Sequence, residues 1–379
     1  MRYAIIIILL ISSLGIVEAQ DIDTFILHYA VSKNATIVYK RLIEFDKKKN
    51  LYHVKDYFEN GQIQMEASYS SFDKHIKEEY QCNYRSNTKE GLYKEWHENG
   101  QIEFVGSYKN GLRNGLSTSW YINGQKEAEE NWLNGQLHGR AKYWTEKGDL
   151  QFDLIFEHGL NQNQKNVNYH YITYLPPDYN PDTEKKWPLI IFLHGGSARG
   201  TNTLDLYDYG PFDQIYRGRE FQFIIAAPQC PKHIRWSTEN WFESFYNDLI
   251  AKYKIDANRI YLTGASLGGS GTWYLAIKYP EIFAAIAPMS GFTGHMEYIS
   301  KNIDRISDMP VWAFHGELDN VVQFEETENL INKLKAINKQ VKFTKEPEIG
   351  HWIHNLVYPG EELYDWFLQH DKRLKNNKT

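Results

Sequence analysis

The sequence has little cysteine, no excess of positive charge and a single long apolar run. Two cysteines in 379 residues, Cys82 and Cys230, are too few for a disulfide scaffold. The formal net charge is −6 and no basic stripe is present, so we expect no nucleic-acid partner. There is no H-E-x-x-H motif, Cys/His cluster or calcium loop, so we expect neither a metal nor another cofactor. The length allows two domains.

The apolar run lies at the N-terminus. Arg2 precedes the run at 4–11, and small residues precede Gln20. This layout predicts a signal peptide over residues 1–19 and a secreted or periplasmic protein. The run is too short to span a bilayer, so we expect no transmembrane segment after cleavage. An uncleaved N-terminal anchor is the alternative.

A six-residue motif ending in tryptophan recurs every 24 residues, as GLYKEW at Gly91–Trp96, GLSTSW at Gly115–Trp120 and GRAKYW at 139–144. Asn-Gly turns interleave with these motifs, and both central residues of such a turn are expected to have positive φ. Each unit is therefore predicted to be a β-hairpin with its aromatic side chains on one face. Because one hairpin is marginal in water, neighbouring hairpins must stack to bury that face.

These units resemble MORN-type repeats of the variant found in exported and antitoxin-like bacterial proteins. The resemblance covers residues 57–160 and rests on the glycine, tryptophan and Asn-Gly positions above. It implies a scaffold or contact surface for protein or glycan, and a structural spacer is the alternative. Residues 20–56 are unassigned, although ATIVYKRLIEF within them is a candidate strand. The polar residues 161–168 are predicted to be a linker.

Beyond the linker, strand patterns alternate with helix patterns, which predicts an α/β domain over 169–373 with a mostly parallel sheet covered by helices. Ligands bind at the carboxyl ends of the strands in such sheets. Predicted strands lie at 169–176, 188–196, 221–228, 259–265, 283–291, 310–316 and 340–347, and predicted helices at 241–255, 268–280, 324–338 and 361–370.

Residues 264–268 read G-A-S-L-G and lie between a predicted buried strand and a helix, the context of a nucleophile elbow. Side chains at Gly264 and Gly268 would clash with the neighbouring strand and helix, so glycine is required at both. Ser266 would then project above the sheet, beside the unpaired N–H groups of a helix N-terminus. The pattern indicates a nucleophilic serine.

A serine hydroxyl needs a base, and the expected chain order in this fold is serine, acid, histidine. Asp319 follows a predicted strand, and His351 follows the last one. We expect His351 to accept the Ser266 proton and Asp319 to fix the imidazole tautomer. Glu317 is the alternative acid and His354 the alternative base.

Other histidines beside loops are predicted to be structural: His194, His295 and His315. The loop LHGGSARG supplies the second half of an oxyanion hole. We expect the backbone N–H groups of Gly196 and Leu267 to be its donors.

From about residue 169 onward the chain resembles an α/β-hydrolase of the carboxylesterase, feruloyl-esterase and polyhydroxybutyrate-depolymerase-like group, close to dienelactone hydrolases and prolyl-oligopeptidase catalytic domains. The matching stretches are YLPPDYN, PLIIFLHGGSARG, AAPQCP, the segment around GASLGG, VWAFHGELDNVV and IGHWIH. The resemblance implies the triad Ser266, Asp319 and His351 and supports Gly196 and Leu267 as oxyanion donors.

The connection at 292–309 is too short for a large lid, so we expect an open site. Trp236 and Trp241 are candidates for the substrate rim, with packing beneath a loop as the alternative. The leading hypothesis is an exported serine esterase acting on a carboxylic ester, such as acylated or feruloylated carbohydrate. A serine peptidase or amidase is the first alternative. A binding protein with an inactive hydrolase domain is the second.

Overall fold

The computed structural model describes residues 22–32, 35–71, 88–162, 164–292 and 297–375. The N-terminal half forms a twelve-stranded antiparallel sheet, here called the repeat sheet. Its strands are β1 Ile22–Ser32, β2 Ala35–Asp46, β3 Leu51–Tyr57, β4 Ile63–Tyr69, β5 Gly91–Trp96, β6 Ile102–Lys109, β7 Leu112–Arg113, β8 Gly115–Trp120, β9 Lys126–Leu133, β10 Gln136–Trp144, β11 Leu150–Glu157 and β12 Leu160–Asn161.

The predicted hairpins are present, and two of the tryptophan motifs coincide with β5 and β8. One detail of the turns was wrong, because Asn99 and its equivalents do not have positive φ. Only the following glycine does, with φ of 83° at Gly100, and a β-bulge follows in the register. This is a type I turn extended by a bulge. Both central residues do have positive φ in another set of turns, as at Asn110 and Gly111.

The asparagines of the bulged turns connect one repeat to the next. The Oδ1 atom of Asn99 accepts a hydrogen bond from the Gln101 amide at 3.0 Å, which holds its own turn. Its Nδ2 atom donates to the carbonyl of Ile122 at 3.0 Å, one turn further along the stack. Asn123 donates in the same way to Glu146 at 2.9 Å. These bonds give the 24-residue period a physical cause.

The C-terminal half forms a seven-stranded sheet, here called the C-terminal sheet, in the order β13-β15-β14-β16-β17-β18-β19. The edge strand β13 is antiparallel and the other pairs are parallel, which confirms the α/β prediction. The strands are β13 Tyr171–Tyr174, β14 Trp187–Leu193, β15 Ile224–Pro228, β16 Ile255–Ala265, β17 Ala285–Met289, β18 Val311–Gly316 and β19 Val341–Glu346.

Helices pack on both faces of this sheet, so its central strands have no solvated face. Every residue of β14 is buried, as expected for a parallel strand between two helical layers. The helices are α1 Gly210–Tyr216, α2 Phe242–Lys252, α3 Leu267–Lys278, α4 Glu297–Lys301, α5 Phe324–Lys335, α6 His354–Val357, α7 Glu362–Leu368 and α8 Lys372–Lys375. Among the described residues, no helix is long and apolar enough to cross a membrane.

The two halves share one buried apolar cluster, in which Trp132 and Leu137 of the repeat sheet lie with residues of the C-terminal sheet. His233 adds a polar contact at this junction: its ring stacks on Tyr143 with centroids 5.7 Å apart, and its Nε2 lies 3.3 Å from the Tyr121 hydroxyl. Burial lowers the pKa of His233 to about 4, so the ring is neutral there. The junction is therefore packed rather than solvated.

The segment predicted to be a linker is tied to the C-terminal half. The Nδ2 atom of Asn161 donates to the Thr238 carbonyl at 2.9 Å, and the Nε2 atom of Gln164 donates to the Ser237 carbonyl at 2.6 Å. Such bonds remove the freedom that a polar linker would otherwise have.

Candidate active site

The predicted nucleophile lies on a turn that only glycine permits at two positions. A Cβ atom at Gly264 would lie 2.5 Å from the Leu193 carbonyl oxygen, and one at Gly268 would lie 1.9 Å from the same atom. Between them Ser266 has φ of 56° and ψ of −118°, a conformation that non-glycine residues rarely adopt. Such a backbone costs about 1–3 kcal/mol and persists only where the surrounding packing imposes it.

The loop after β14 approaches this serine closely, because a Cβ atom at Gly195 would lie 3.8 Å from Ser266 Cβ. The next residue, Gly196, begins a short 3-10 turn, and Leu267 begins α3. In the part of the chain that the structure describes, neither of their amides donates to another residue. Both N–H groups are thus available to a ligand beside Ser266.

Asp319 and His351 are brought together, with Nδ1 of the imidazole 2.8 Å from Oδ2 of the carboxylate. Both side chains are almost fully buried. The Oδ1 atom of Asp319 accepts from the amides of Val321 and Val322 at 2.9 and 2.8 Å, which fixes the carboxylate. Ser266 Oγ makes no hydrogen bond with any described residue, His351 included. Such bonds are often long in unliganded enzymes and shorten in the substrate complex.

A second histidine contacts the same carboxylate. His315 places Nε2 3.0 Å from Asp319 Oδ2 and Nδ1 2.8 Å from Thr327 Oγ1. Burial alone would raise the pKa of Asp319, but the hydrogen bonds with His315 and His351 and from the Val322 amide outweigh it. The pKa of Asp319 is therefore held well below its usual range, and the group is a carboxylate.

The geometry separates the alternatives named from the sequence. Glu317 is exposed, whereas Asp319 is buried against His351. His354 makes no bond with Asp319, and burial followed by the neighbouring His351 lowers the pKa of His354 to about 4. Its Nδ1 atom is buried without a partner among the described residues. Asp319 and His351 are thus the pair that is in contact.

His194 has the structural role expected of it. The Cys230 amide donates to its Nε2 at 3.0 Å, so the ring proton is on Nδ1, which donates to the Gly195 carbonyl at 2.7 Å. Burial lowers the pKa of His194 to about 4, consistent with a neutral ring that bridges two loops. His295 lies outside the described residues.

The expectation that Trp236 and Trp241 line the substrate rim is corrected by their burial, at 1% and 0% exposure. The Nε1 atom of Trp236 donates to the His194 carbonyl at 3.3 Å, and that of Trp241 donates to the Trp236 carbonyl at 2.9 Å. Trp241 also stacks on Tyr169 with centroids 5.2 Å apart. Both indoles belong to the buried core, and Trp236 lies beneath the loop that follows β14.

The space in front of Ser266 is a cleft between the two halves of the molecule, here called the interdomain cleft. Its volume is about 430 Å³. The sequence did not indicate that the repeats would reach this site. Side chains and backbone from both sides line the cleft: Lys89, Tyr108, Gly111, Leu112, Arg113, Trp132 and Gly135 from the repeats, and Gly196, Arg199, Arg235, Ser266, Leu267, Phe292, Val321, Gln323 and Glu326 from the C-terminal half.

Comparison with known families agrees with this architecture. Residues 220–357 match the family described as Phospholipase/Carboxylesterase, and residues 53–71 and 89–110 match the family described as MORN repeat variant. The C-terminal half thus combines an α/β-hydrolase-like sheet with a segment that matches a phospholipase/carboxylesterase family, and two segments of the N-terminal hairpins match the MORN repeat variant.

Individual relatives share less than 30% sequence identity with this chain. The poly(3-hydroxyoctanoate) depolymerase of Pseudomonas fluorescens is 26% identical over 212 residues, which cover 48% of this chain and 74% of that protein. The probable acetylxylan esterase A of Aspergillus terreus is 28% identical over 141 residues, which cover 33% of this chain and 45% of that protein. A solved structure of a thermostable esterase is 23% identical, with a TM-score of 0.43 and 74% of each chain covered. The chain spans less than half the length of several curated relatives that it matches.

Proposed function

We propose that this protein is an exported esterase that cleaves carboxylic esters through an acyl-enzyme on Ser266. The observation that carries the proposal is Ser266 itself, held at positive φ on a strand–helix turn that opens into the interdomain cleft. The buried Asp319–His351 pair supplies a base of fixed orientation at the same end of the sheet. Nucleophile, base and orienting acid are the three groups that acyl transfer requires.

The reaction follows from these groups. Ser266 Oγ attacks the ester carbonyl carbon while His351 Nε2 takes the hydroxyl proton, and Asp319 stabilises the resulting imidazolium through Nδ1–H. The amides of Gly196 and Leu267 donate to the oxyanion of the tetrahedral intermediate. Collapse expels the alcohol, which receives the proton from His351. Water, activated by the same imidazole, then releases the acid and restores Ser266.

The proposed substrate is an ester of a carbohydrate. Support comes from the name of the acetylxylan esterase relative and from the open cleft with the half-buried aromatic side chain of Tyr108 in its wall. Export is proposed from the N-terminal sequence pattern alone.

The test is the rate of p-nitrophenyl acetate hydrolysis by the wild-type protein and by Ser266→Ala. We expect the substitution to remove all enzymatic hydrolysis and to leave the circular dichroism and melting temperature near those of the wild type. Ser300→Ala, which truncates an exposed serine of α4, is the matched control and should keep full activity. Hydrolysis retained by Ser266→Ala would refute the mechanism, and faster turnover of a matched anilide would favour a peptidase or amidase.

A further inference from the structure

The charge of the interdomain cleft is opposite to that of the whole chain. Four basic side chains line it and one acidic side chain, Glu326, does so, although the chain carries a formal charge of −6. The basic residues are Lys89 and Arg113 from the repeats and Arg199 and Arg235 from the C-terminal domain. A concentration of one sign in a concave, partly desolvated site raises the local potential and attracts the opposite charge.

Arg235 is the least compensated of these cations. Its guanidinium makes no hydrogen bond or ion pair with the residues that the structure describes, although the residue is only partly exposed. It lies 5.8 Å from the centroid of the Trp132 ring, and the Arg113 guanidinium lies 4.8 Å from the same ring. Two like charges therefore lie close to one indole at the junction of the domains.

Arg113 has an acidic partner, whereas Lys89 has none within ion-pair distance among the described residues. Arg113 lies 3.5 Å from a carboxylate oxygen of Glu130, which also accepts a hydrogen bond from the Tyr143 hydroxyl. The Lys89 ammonium lies 4.2 Å above the ring of Tyr93 and forms no ion pair with a described carboxylate. Burial and the Arg113 charge lower the pKa of Lys89, and Glu95 opposes them, to a value of about 8.

Burial, followed by smaller repulsive contributions from neighbouring cations, lowers the pKa of both Lys89 and Arg235, so the charged forms of these two groups are penalised. A bound carboxylate would relieve the repulsion and accept hydrogen bonds from the planar fork of an arginine. The half-buried ring of Tyr108 lies beside these cations in the cleft wall and can contact the apolar face of a sugar ring, whereas Trp132 is buried beneath the arginines.

We propose that the repeats form a substrate-binding wall, and that the interdomain cleft selects esters whose sugar ring carries a free carboxylate, of which an O-acylated uronic acid is the simplest form. This inference rests on the proposed esterase activity and adds to it the substrate class and the role of the repeats. The ring lies against Tyr108, and Arg113 and Arg235 hold its carboxylate while Ser266 reaches the ester.

The test compares kcat/KM for an O-acetylated glucuronic acid and the same O-acetylated glucose, which differ only in the carboxylate. We expect the glucuronate ester to be preferred at least tenfold, mainly through KM, and the preference to shrink with added salt. In Arg235→Gln the preference should fall severalfold. Arg140→Gln removes an equal charge from an exposed position in the repeat sheet and should leave the preference unchanged.

Equal or better turnover of the glucose ester by the wild type would overturn the proposal, as would an equal loss for both esters in Arg235→Gln. Arg235→Lys, which keeps the charge and loses the fork, is measured if the glutamine variant does not fold, and should also lower the preference. Ser266-dependent hydrolysis of p-nitrophenyl acetate separates this outcome from failure of the esterase proposal. Binding of glucuronate to Ser266→Ala by calorimetry tests recognition without turnover, and absence of binding contradicts the proposal.

Discussion

In the repeat sheet most strands pair with the next strand of the chain, several of them through short turns, as β5 does with β6, whereas the parallel strands of the C-terminal sheet are joined by longer connections, and β14 lies between β15 and β16. Burial differs in the same way: only one residue of β5 is buried, but every residue of β14 is. Local turn chemistry can therefore build the first sheet, while the second depends on long-range packing. The groups proposed for chemistry lie on the second, and the first contributes the opposite wall of their cleft.

The largest expected effect lies in the C-terminal domain. Asp319→Asn removes the charge that fixes and stabilises the His351 imidazolium, so we expect kcat for p-nitrophenyl acetate to fall about 10⁴-fold. The same change at the exposed Asp304 is the control and should have no effect. A loss of less than tenfold in Asp319→Asn would contradict the assigned role.

The same substitution has a signature in stability. Because the folded-state pKa of Asp319 is lowered, its carboxylate stabilises the fold above the unfolded pKa of about 4, and this contribution disappears as the pH falls towards the folded value. The difference in unfolding free energy between the wild type and Asp319→Asn should therefore shrink below about pH 4. If the difference in unfolding free energy grew on acidification, it would contradict a lowered pKa of Asp319 in the folded state.

The next largest effect is the difference in stability loss between a glycine substitution in the C-terminal domain and one in the repeats. Gly268→Ala places a Cβ atom 1.9 Å from the Leu193 carbonyl oxygen, so we expect a loss of more than about 4 kcal/mol in unfolding free energy, or no folded protein. Gly61→Ala in a repeat turn meets only open space and suffers from positive φ alone, so it should lose about 1–2 kcal/mol. Denaturant unfolding measures both losses. Similar losses would contradict the claim that the turn in the C-terminal domain is the more tightly packed of the two.

A smaller effect concerns Lys89, whose pKa is about 8. The groups around its ammonium are Tyr93, Tyr108, Glu95 and Arg113. As the pH rises through about 8, Lys89 loses its charge, so the preference for the glucuronate ester should fall about threefold. In Lys89→Arg the charge persists, and this decline should vanish. A decline that is identical in the variant would assign it to another group.

The smallest effect concerns the stacking of repeats. Asn123→Ala removes the 2.9 Å bond to the Glu146 carbonyl and should lower the unfolding free energy by about 1 kcal/mol more than Asn60→Ala, whose bond to Glu98 is 3.4 Å. Both variants lose the same bond within their own turn, so the difference compares the shorter bond between repeats with the longer one. The losses are measured by thermal and denaturant unfolding. Equal losses in the two variants would show that the shorter bond does not stabilise the stack more than the longer one.

Prediction from the sequence was most successful for features that depend on residues close together in the chain. The motif at Gly91–Trp96 is β5 to the residue, because glycine and the Asn-Gly turns mark both ends of each strand. The strand–turn–helix context of Ser266 and the glycines around it also follow from nearby residues, and the clash at Gly264 is the one that was expected. The turn type was wrong at Asn99 because a two-residue pattern does not reveal the bulge after it.

Features that depend on the packing of distant segments could not be predicted in this way. Trp236 looked like a rim residue because it follows a strand end, yet it lies beneath the loop and bonds to His194. His315 was expected only to be structural, although it contacts the carboxylate of Asp319. Nothing near Arg113 in the sequence indicates that the repeats would face Ser266.

The central claim is that Ser266 becomes acylated in the interdomain cleft. The most direct measurement is mass spectrometry of peptides after p-nitrophenyl acetate has been mixed with the protein and the reaction quenched in acid. We predict one acetyl group on the peptide that contains Ser266, and none on that peptide in Ser266→Ala. Hydrolysis without any acetylated Ser266, or with the acetyl group on another residue, would contradict the account.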